Sequence, residues 1–132
     1  MLAHRHAVLV VENHDDFREA LEELVSSAGL DVIAVHSGAD ALDHLRRDAG
    51  RWCLVLLDWW LADMTGDEFR QQQVADPRIA EVCLAIVTGD ASVKEKARRL
   101  GVQYFLLKPV DPEIVLKLLS HHCTTDVGAA TV

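Results

Sequence analysis

Cys53-Leu54-Val55-Leu56-Leu57-Asp58-Trp59-Trp60 is the stretch whose reading decides the fold. An uninterrupted apolar run ends in a carboxylate, and Thr65-Gly66 follows shortly after. Such a run, bounded by polar and turn residues, reads as a strand buried on both faces of a parallel sheet. Asp58 then falls at the carboxyl end of that strand, where open α/β sheets bind their ligands. A carboxylate there is a nucleophile, a metal ligand or a helix cap. The rest of the chain has to decide which.

Upstream, Ala7-Val8-Leu9-Val10-Val11 is a β-branched run that stops at Glu12-Asn13, a first buried strand. Phe17, Ala20, Leu21, Leu24, Val25 and Ala28 then recur at three- and four-residue spacing, an amphipathic helix that Gly29 ends. Asp31–Val35 is a second strand. Ser37 with Asp40 resembles a capping box opening a second helix, with Ala41, Leu42 and Leu45 inward and Gly50 near its end.

Downstream, a short helix is expected after Gly66, running to Gln73 before the Asp76-Pro77 break. Val82–Val87 is a fourth strand, stopping at Thr88-Gly89-Asp90. Ser92 with Glu95 suggests a capping box for a fourth helix that ends at Leu100-Gly101. Gln103–Leu107 is a fifth strand ending at Lys108-Pro109. Asp111 as N-cap and Pro112 in the first turn open a last helix whose apolar face is Ile114, Val115, Leu118 and Leu119. Strands alternating with helices specify a doubly wound, five-stranded parallel sheet of the flavodoxin-like (βα)5 kind, with strand order 2-1-3-4-5. Residues 1–6 read as an N-terminal extension, 7–122 as the domain and 123–132 as a flexible tail.

The 132 residues are half apolar and 26% charged, as in ordinary globular domains. No apolar run approaches the roughly 18 residues of a membrane span, and the N-terminus lacks the apolar core of a signal peptide. A cytoplasmic location is expected. The net charge of −8 argues against direct nucleic-acid binding, although Lys94, Lys96, Arg98 and Arg99 make one basic run, read mainly as a solvated helix face. Cys53, Cys83 and Cys123 cannot all pair, and they read as small core residues in a reducing compartment. No C-x-x-C spacing marks a zinc site, and His121-His122-Cys123 alone is a weak metal signal.

Strand ends of a parallel sheet share one edge, so Glu12, Asn13, Asp58, Thr88 and Lys108 should converge. That set suits phosphoryl transfer to a carboxylate. Asp58 is the candidate nucleophile. Magnesium, which takes oxygen ligands, would be held by Asp58 and the Glu12-Asn13 pair. Lys108 and the Thr88 hydroxyl would meet the phosphoryl oxygens.

With those residues in place, the chain resembles the receiver domain of bacterial two-component response regulators over about residues 7–121. The resemblance rests on Val8–Glu12, Leu54–Asp58, Met64-Thr65-Gly66, Val87-Thr88-Gly89 and Leu107-Lys108-Pro109, in order and in register with the predicted strands. It implies a phosphoryl group taken from a sensor histidine kinase or phosphotransfer protein onto Asp58, with Mg2+ held by Glu12, Asn13, Asp58 and the Trp60 backbone carbonyl. It implies a switch through Thr88 and the aromatic Phe105. The domain would be no enzyme beyond catalysing its own phosphorylation and dephosphorylation. The fourth helix, fifth strand and fifth helix would form the face for a homodimer or an output partner. No DNA-binding domain fits after residue 121, so output is expected from a partner or a larger parent chain.

Three departures stand out. Asn13 replaces a second acid and removes one negative charge from the metal site. Trp60 places an indole at the site mouth, where with Asp90 it should modulate attack by water; slow loss of the phosphoryl group is expected. Ala62 replaces the usual proline and should leave the loop less rigid. Two other readings compete. A haloacid-dehalogenase-type phosphatase needs a second Asp where Trp60 stands. A degenerate receiver acting as a phosphorylation-independent interaction module is the alternative that Asn13 and Trp60 keep open.

Overall fold

The five apolar runs pair side by side in the computed structural model, which describes residues 7–123. β1 (Ala7–Val11), β2 (Asp31–Val35), β3 (Trp52–Leu57), β4 (Leu84–Thr88) and β5 (Tyr104–Leu107) form one parallel sheet in the order β2-β1-β3-β4-β5. The three inner strands are buried along their whole length, which is why they read as unbroken apolar runs. α1 (Asp15–Ser27) and α5 (Pro112–His122) pack on one face. α2 (Gly38–Arg47), α3 (Gly66–Ala75) and α4 (Lys94–Arg99) cover the other.

The strand order turns back between β1 and β3, so their carboxyl ends are neighbours at the switch point. The Asp58 amide donates to Val11 O at 2.9 Å and the Glu12 amide to Val35 O at 3.0 Å. Glu12 and Asp58 are thereby set side by side at the sheet edge.

Local chemistry moves several expected boundaries. β4 begins at Leu84, not Val82, and takes in Thr88. The Gln73 carboxamide donates to Ile79 O (3.1 Å) and Val82 O (2.9 Å), holding that segment as a turn. The expected Ser92 cap on α4 is not made: α4 starts after Val93 without a side-chain cap, and Asp90 caps the turn that precedes it. Asp90 Oδ1 accepts from both the Ser92 amide and hydroxyl, so the Ser92 side chain is spent as a donor and the chain enters α4 through a 3-10 turn at Ala91–Val93. Ile114 lies on the exposed side of α5 at 45% accessibility, one residue off the buried Val115, Leu118 and Leu119 stripe. The cap at Asp111 with Pro112 behind it stands as expected.

The loop from β3 to α3 is pinned without proline at position 62. The Asp63 carboxylate accepts from the Gly38 and Ala39 amides at 3.0 and 2.9 Å, tying the loop to the start of α2. Thr65 and Glu68 close a capping box on α3. The Gly66 amide donates to Trp59 O at 2.7 Å, and the fully buried Trp59 ring lies against the Gly66 backbone. A Cβ at Gly66 would come within 2.5 Å of Trp59 Cε3. Gly66→Ala is therefore expected to cost about 2–3 kcal/mol through overpacking, read as a lower urea midpoint at unchanged slope. An unchanged midpoint would contradict this packing. Arg70 ties α3 to the end of α4, donating to Leu100 O, Gly101 O and the Gln73 carboxamide oxygen.

The cysteines depart from the expectation of three reduced core thiols. Cys53 and Cys123 form a disulfide across a sequence separation of 70, and Cys83 is free. Cys123 is buried as the C-cap of α5, so a tail cannot start there. The expected extension at residues 1–6 and the tail from residue 124 lie outside the described residues. Among the described residues no helix is long and apolar enough to cross a membrane.

Candidate functional site

Three loops bring Asp58, Glu12 and Lys108 together. Asp58 is only 7% exposed. Lys108 Nζ lies 2.9 Å from Glu12 Oε1 and 3.6 Å from Asp58 Oδ2. It also stands 4.5 Å from the centre of the Phe17 ring, a cation–π contact from the first turn of α1. Spacing alone marks Phe17 as a core-facing residue of α1 and does not reveal its contact with Lys108. The backbone directs the lysine: the Lys108 amide donates to Thr88 O at 2.8 Å, and the Lys108-Pro109 bond is cis.

Two carboxylates and one ammonium leave the pocket net negative. Burial, and next the Glu12 charge, push Asp58 up from the usual carboxylate range to about 6, while Lys108 and the Trp60 amide pull against them. Asp58 Oδ1 accepts from the Trp60 amide at 3.3 Å. Glu12 Oε2 accepts from the His14 amide, while its Oε1 has no hydrogen-bond donor of good geometry beyond the nearby Lys108 charge. An excess of buried carboxylate oxygen is what a hard divalent cation would satisfy. Asn13 is exposed beside it. Glu12 and Asp58 are the two carboxylates available to such an ion, and among the described residues no group of three His, Cys, Asp or Glu side chains gathers to hold a metal. Of the His121-His122-Cys123 triplet, Cys123 is disulfide-bonded to Cys53 and His122 is hydrogen-bonded to the Tyr104 hydroxyl.

Thr88, almost fully buried, ends β4 on the same edge. Its hydroxyl oxygen accepts from the Asp90 amide at 3.3 Å. Asp90 Oδ2 in turn accepts from the Trp60 indole at 2.9 Å, and Trp60 is 51% exposed. A clasp thus joins the loop after β3 to the loop after β4 across the site mouth. Sequence spacing placed both residues at the mouth and gave no sign that they touch. Bonds from the Ser92 and Trp60 side chains hold Asp90 below the usual carboxylate range. Phe105, half-buried in β5, pairs in register with Ile86 and faces a groove of about 460 Å³ between α4 and β5, lined also by Ala91, Lys94 and Arg98. Asp15 and Asp16 stand exposed in the first turn of α1 and belong to the helix start.

A doubly wound domain with an acidic, lysine-bridged pocket at its switch point is the class these features define. The sequence profile of the response regulator receiver domain matches residues 8–120. The two-component response regulator ORR5 of Oryza sativa subsp. japonica is 30% identical over 116 residues, spanning 86% of this chain and 85% of the relative. Among solved structures, a response regulator receiver protein from Pseudomonas putida superposes with a TM-score of 0.81 at 32% identity, covering 91% of this chain and 99% of that one. The chemotaxis response regulator CheY4 of Vibrio cholerae shares the fold, with a TM-score of 0.78 at 24% identity over 92% of this chain and 98% of its own. The chain belongs to the response regulator receiver domain family.

Proposed function

We propose that this receiver domain accepts a phosphoryl group on Asp58 from a phosphohistidine of a sensor kinase or phosphotransfer protein. The observation that carries the proposal is the Asp58 carboxylate at the switch point, 3.6 Å from the Lys108 ammonium and beside Glu12. An Asp58 oxygen attacks phosphorus, the phosphorus–nitrogen bond breaks, and the imidazole leaves on the donor. Lys108 offsets the charge that develops on the phosphoryl oxygens, and the Thr88 hydroxyl turns toward them. A magnesium ion held by Glu12, Asp58, Asn13 and the Trp60 backbone carbonyl would supply charge neutralisation between anionic donor and anionic acceptor. Asn13 makes that ion less tightly bound than a second acid would.

The signal leaves through β4 and β5. Drawing the Thr88 hydroxyl toward the phosphoryl group releases the Asp90 amide from it, and the shift reaches Phe105 in the α4–β5 groove. Leu107 and Ile114, both exposed, lie on β5 and α5 and suit contact with a second copy or an output partner. The domain catalyses only its own phosphorylation and dephosphorylation, and its place is the cytoplasm with its kinase. A phosphorylation-independent module is not favoured, because Asp58, Thr88 and Lys108 stand together at one strand edge.

The Trp60–Asp90 clasp narrows the path of water to the aspartyl phosphate. Trp60→Asn removes both indole and clasp and is expected to shorten the lifetime of the phosphoryl group about tenfold, equivalent to about 1.4 kcal/mol of barrier. Decay of phosphorylated protein, followed by intact mass, measures it. An unchanged lifetime would sink the role given to the clasp. The proposal as a whole is tested by magnesium-dependent phosphoryl uptake on Asp58 from acetyl phosphate, read by intact mass.

A further inference from the structure

We infer that Cys53 and Cys123 form a reversible thiol–disulfide exchange site, whose substrate is a small dithiol or a dithiol protein, and which locks or releases the C-terminal end of α5. The site stands on its own, independent of phosphoryl transfer. It lies at the start of β3, the opposite end of the strand from Asp58.

The backbone is irregular in a way that aims Cys53 at its partner. β1 pairs Ala7 with Trp52 and then Val8 with Leu54, so Cys53 is the extra residue of a β-bulge. Regular alternation would send Cys53 and Leu54 to opposite faces; the bulge sends both into the layer beneath α1 and α5. Cys123 meets it there as the C-cap of α5, its amide donating to Leu119 O at 2.8 Å. The last turn of α5 has a second tether, a hydrogen bond between His122 and the Tyr104 hydroxyl.

The reduced state is also provided for. Cys53 Sγ lies 3.3 Å from Ala7 O, a carbonyl placed to accept from the thiol once the disulfide opens. Opening therefore leaves no buried polar group unmatched at Cys53. Both cysteines are buried, so attack requires the final turn of α5 to fray, and Cys123 at the helix end is the sulfur that fraying uncovers. Cys83 sits half-buried at the entry to β4 as a free thiol, with burial pushing its pKa up, and takes no part.

The exchange balances without any further reagent. A thiolate of the dithiol attacks Cys123 Sγ, the sulfur–sulfur bond breaks, and Cys53 leaves as a thiolate that takes the proton given up by the attacking thiol. The second thiol of the reductant then attacks the mixed disulfide. Cys123 is released as a thiol and the reductant departs as a disulfide. Two electrons pass from the dithiol to the Cys53–Cys123 pair. In a reducing compartment such a bond opens and closes as a sensor does.

The test uses the full chain, with dithiothreitol as the dithiol under native conditions. Alkylation followed by intact mass is expected to mark Cys83 alone before treatment and all three cysteines afterwards. Amide exchange over Leu118–Cys123 should rise about tenfold or more on reduction and return when a small disulfide reverses the exchange. Cys53→Ser and Cys123→Ser should each exchange like the reduced chain in either condition, whereas Cys83→Ser should respond like the wild type. Should a Ser variant fail to fold, the reversible response of the wild-type chain decides alone. Three alkylated cysteines before treatment, reduction only after denaturation, or unaltered exchange at the end of α5 would overturn the inference.

Discussion

Lys108→Ala is expected to destabilise the metal-free protein by about 2–3 kcal/mol at pH 7, the cost of leaving buried carboxylates without their partner. Lys108 is the cation between Glu12 and Asp58, and its side chain also covers the Phe17 ring. Removing it leaves two neighbouring anions whose repulsion, with burial, already raises Asp58. The sign with pH follows from that. As pH falls below about 6, Asp58 takes up a proton, the repulsion fades and the variant approaches the wild type. Urea unfolding at pH 7 and pH 5 in the presence of chelator measures both values. Equal penalties at the two pH values would mean that the Asp58 charge has no share in the penalty. Phosphoryl uptake should fall in parallel by about 10² or more, the usual cost of losing one donor to developing charge.

Asp58→Asn should move stability the other way. The folded protein holds Asp58 at about 6 against an ordinary 3.8, so its ionised form is disfavoured in the fold. The neutral form contributes fully below pH 3.8, and that contribution is lost as pH rises through about 6. At pH 7 the wild type carries the full cost of ionisation; the amide carries none. A shift of about two units sets an upper bound near 3 kcal/mol, and screening at the site mouth brings the expected gain to about 1–2 kcal/mol. The gain should vanish near pH 4. A loss of stability, or a difference flat in pH, would contradict the buried, carboxylate-flanked position of Asp58. The two substitutions thus have opposite signs at one pocket.

How much of this was legible before folding depends on the range of each interaction. Strands buried on both faces announce themselves as apolar runs, and each ends at a polar residue, so the convergence of Glu12, Asp58, Thr88 and Lys108 could be read directly. Helix starts were less secure. Asp90 and Ser92 both carry capping side chains within one turn, and only the hydrogen bonds of the folded chain show that Asp90 takes the Ser92 amide. Ile114 shows the limit of periodicity: one residue beside the stripe reads as apolar face yet lies in solvent.

Contacts between distant residues left no periodic trace. Asp63 caps α2 from 25 residues away, Trp60 reaches Asp90 across 30, and Cys53 meets Cys123 across 70. The cysteines illustrate the physical reason. A thiol in an apolar run is an ordinary core residue until a bulge turns it toward a second one, and a bulge is a matter of strand register that one strand alone does not encode. Likewise Ala62 suggested a looser loop, whereas the anchors on that loop are the Asp63 carboxylate and the Trp59–Gly66 contact.

The most direct measurement is intact mass after incubation with acetyl phosphate, with and without magnesium, for the wild type and Asp58→Asn. The account predicts a gain of one phosphoryl mass that requires both Asp58 and magnesium, more magnesium being needed than for a receiver with two acids after β1. Uptake by Asp58→Asn equal to wild type would contradict the account. So would a folded wild-type chain that takes up no phosphoryl group from acetyl phosphate at any magnesium concentration, or from a cognate kinase.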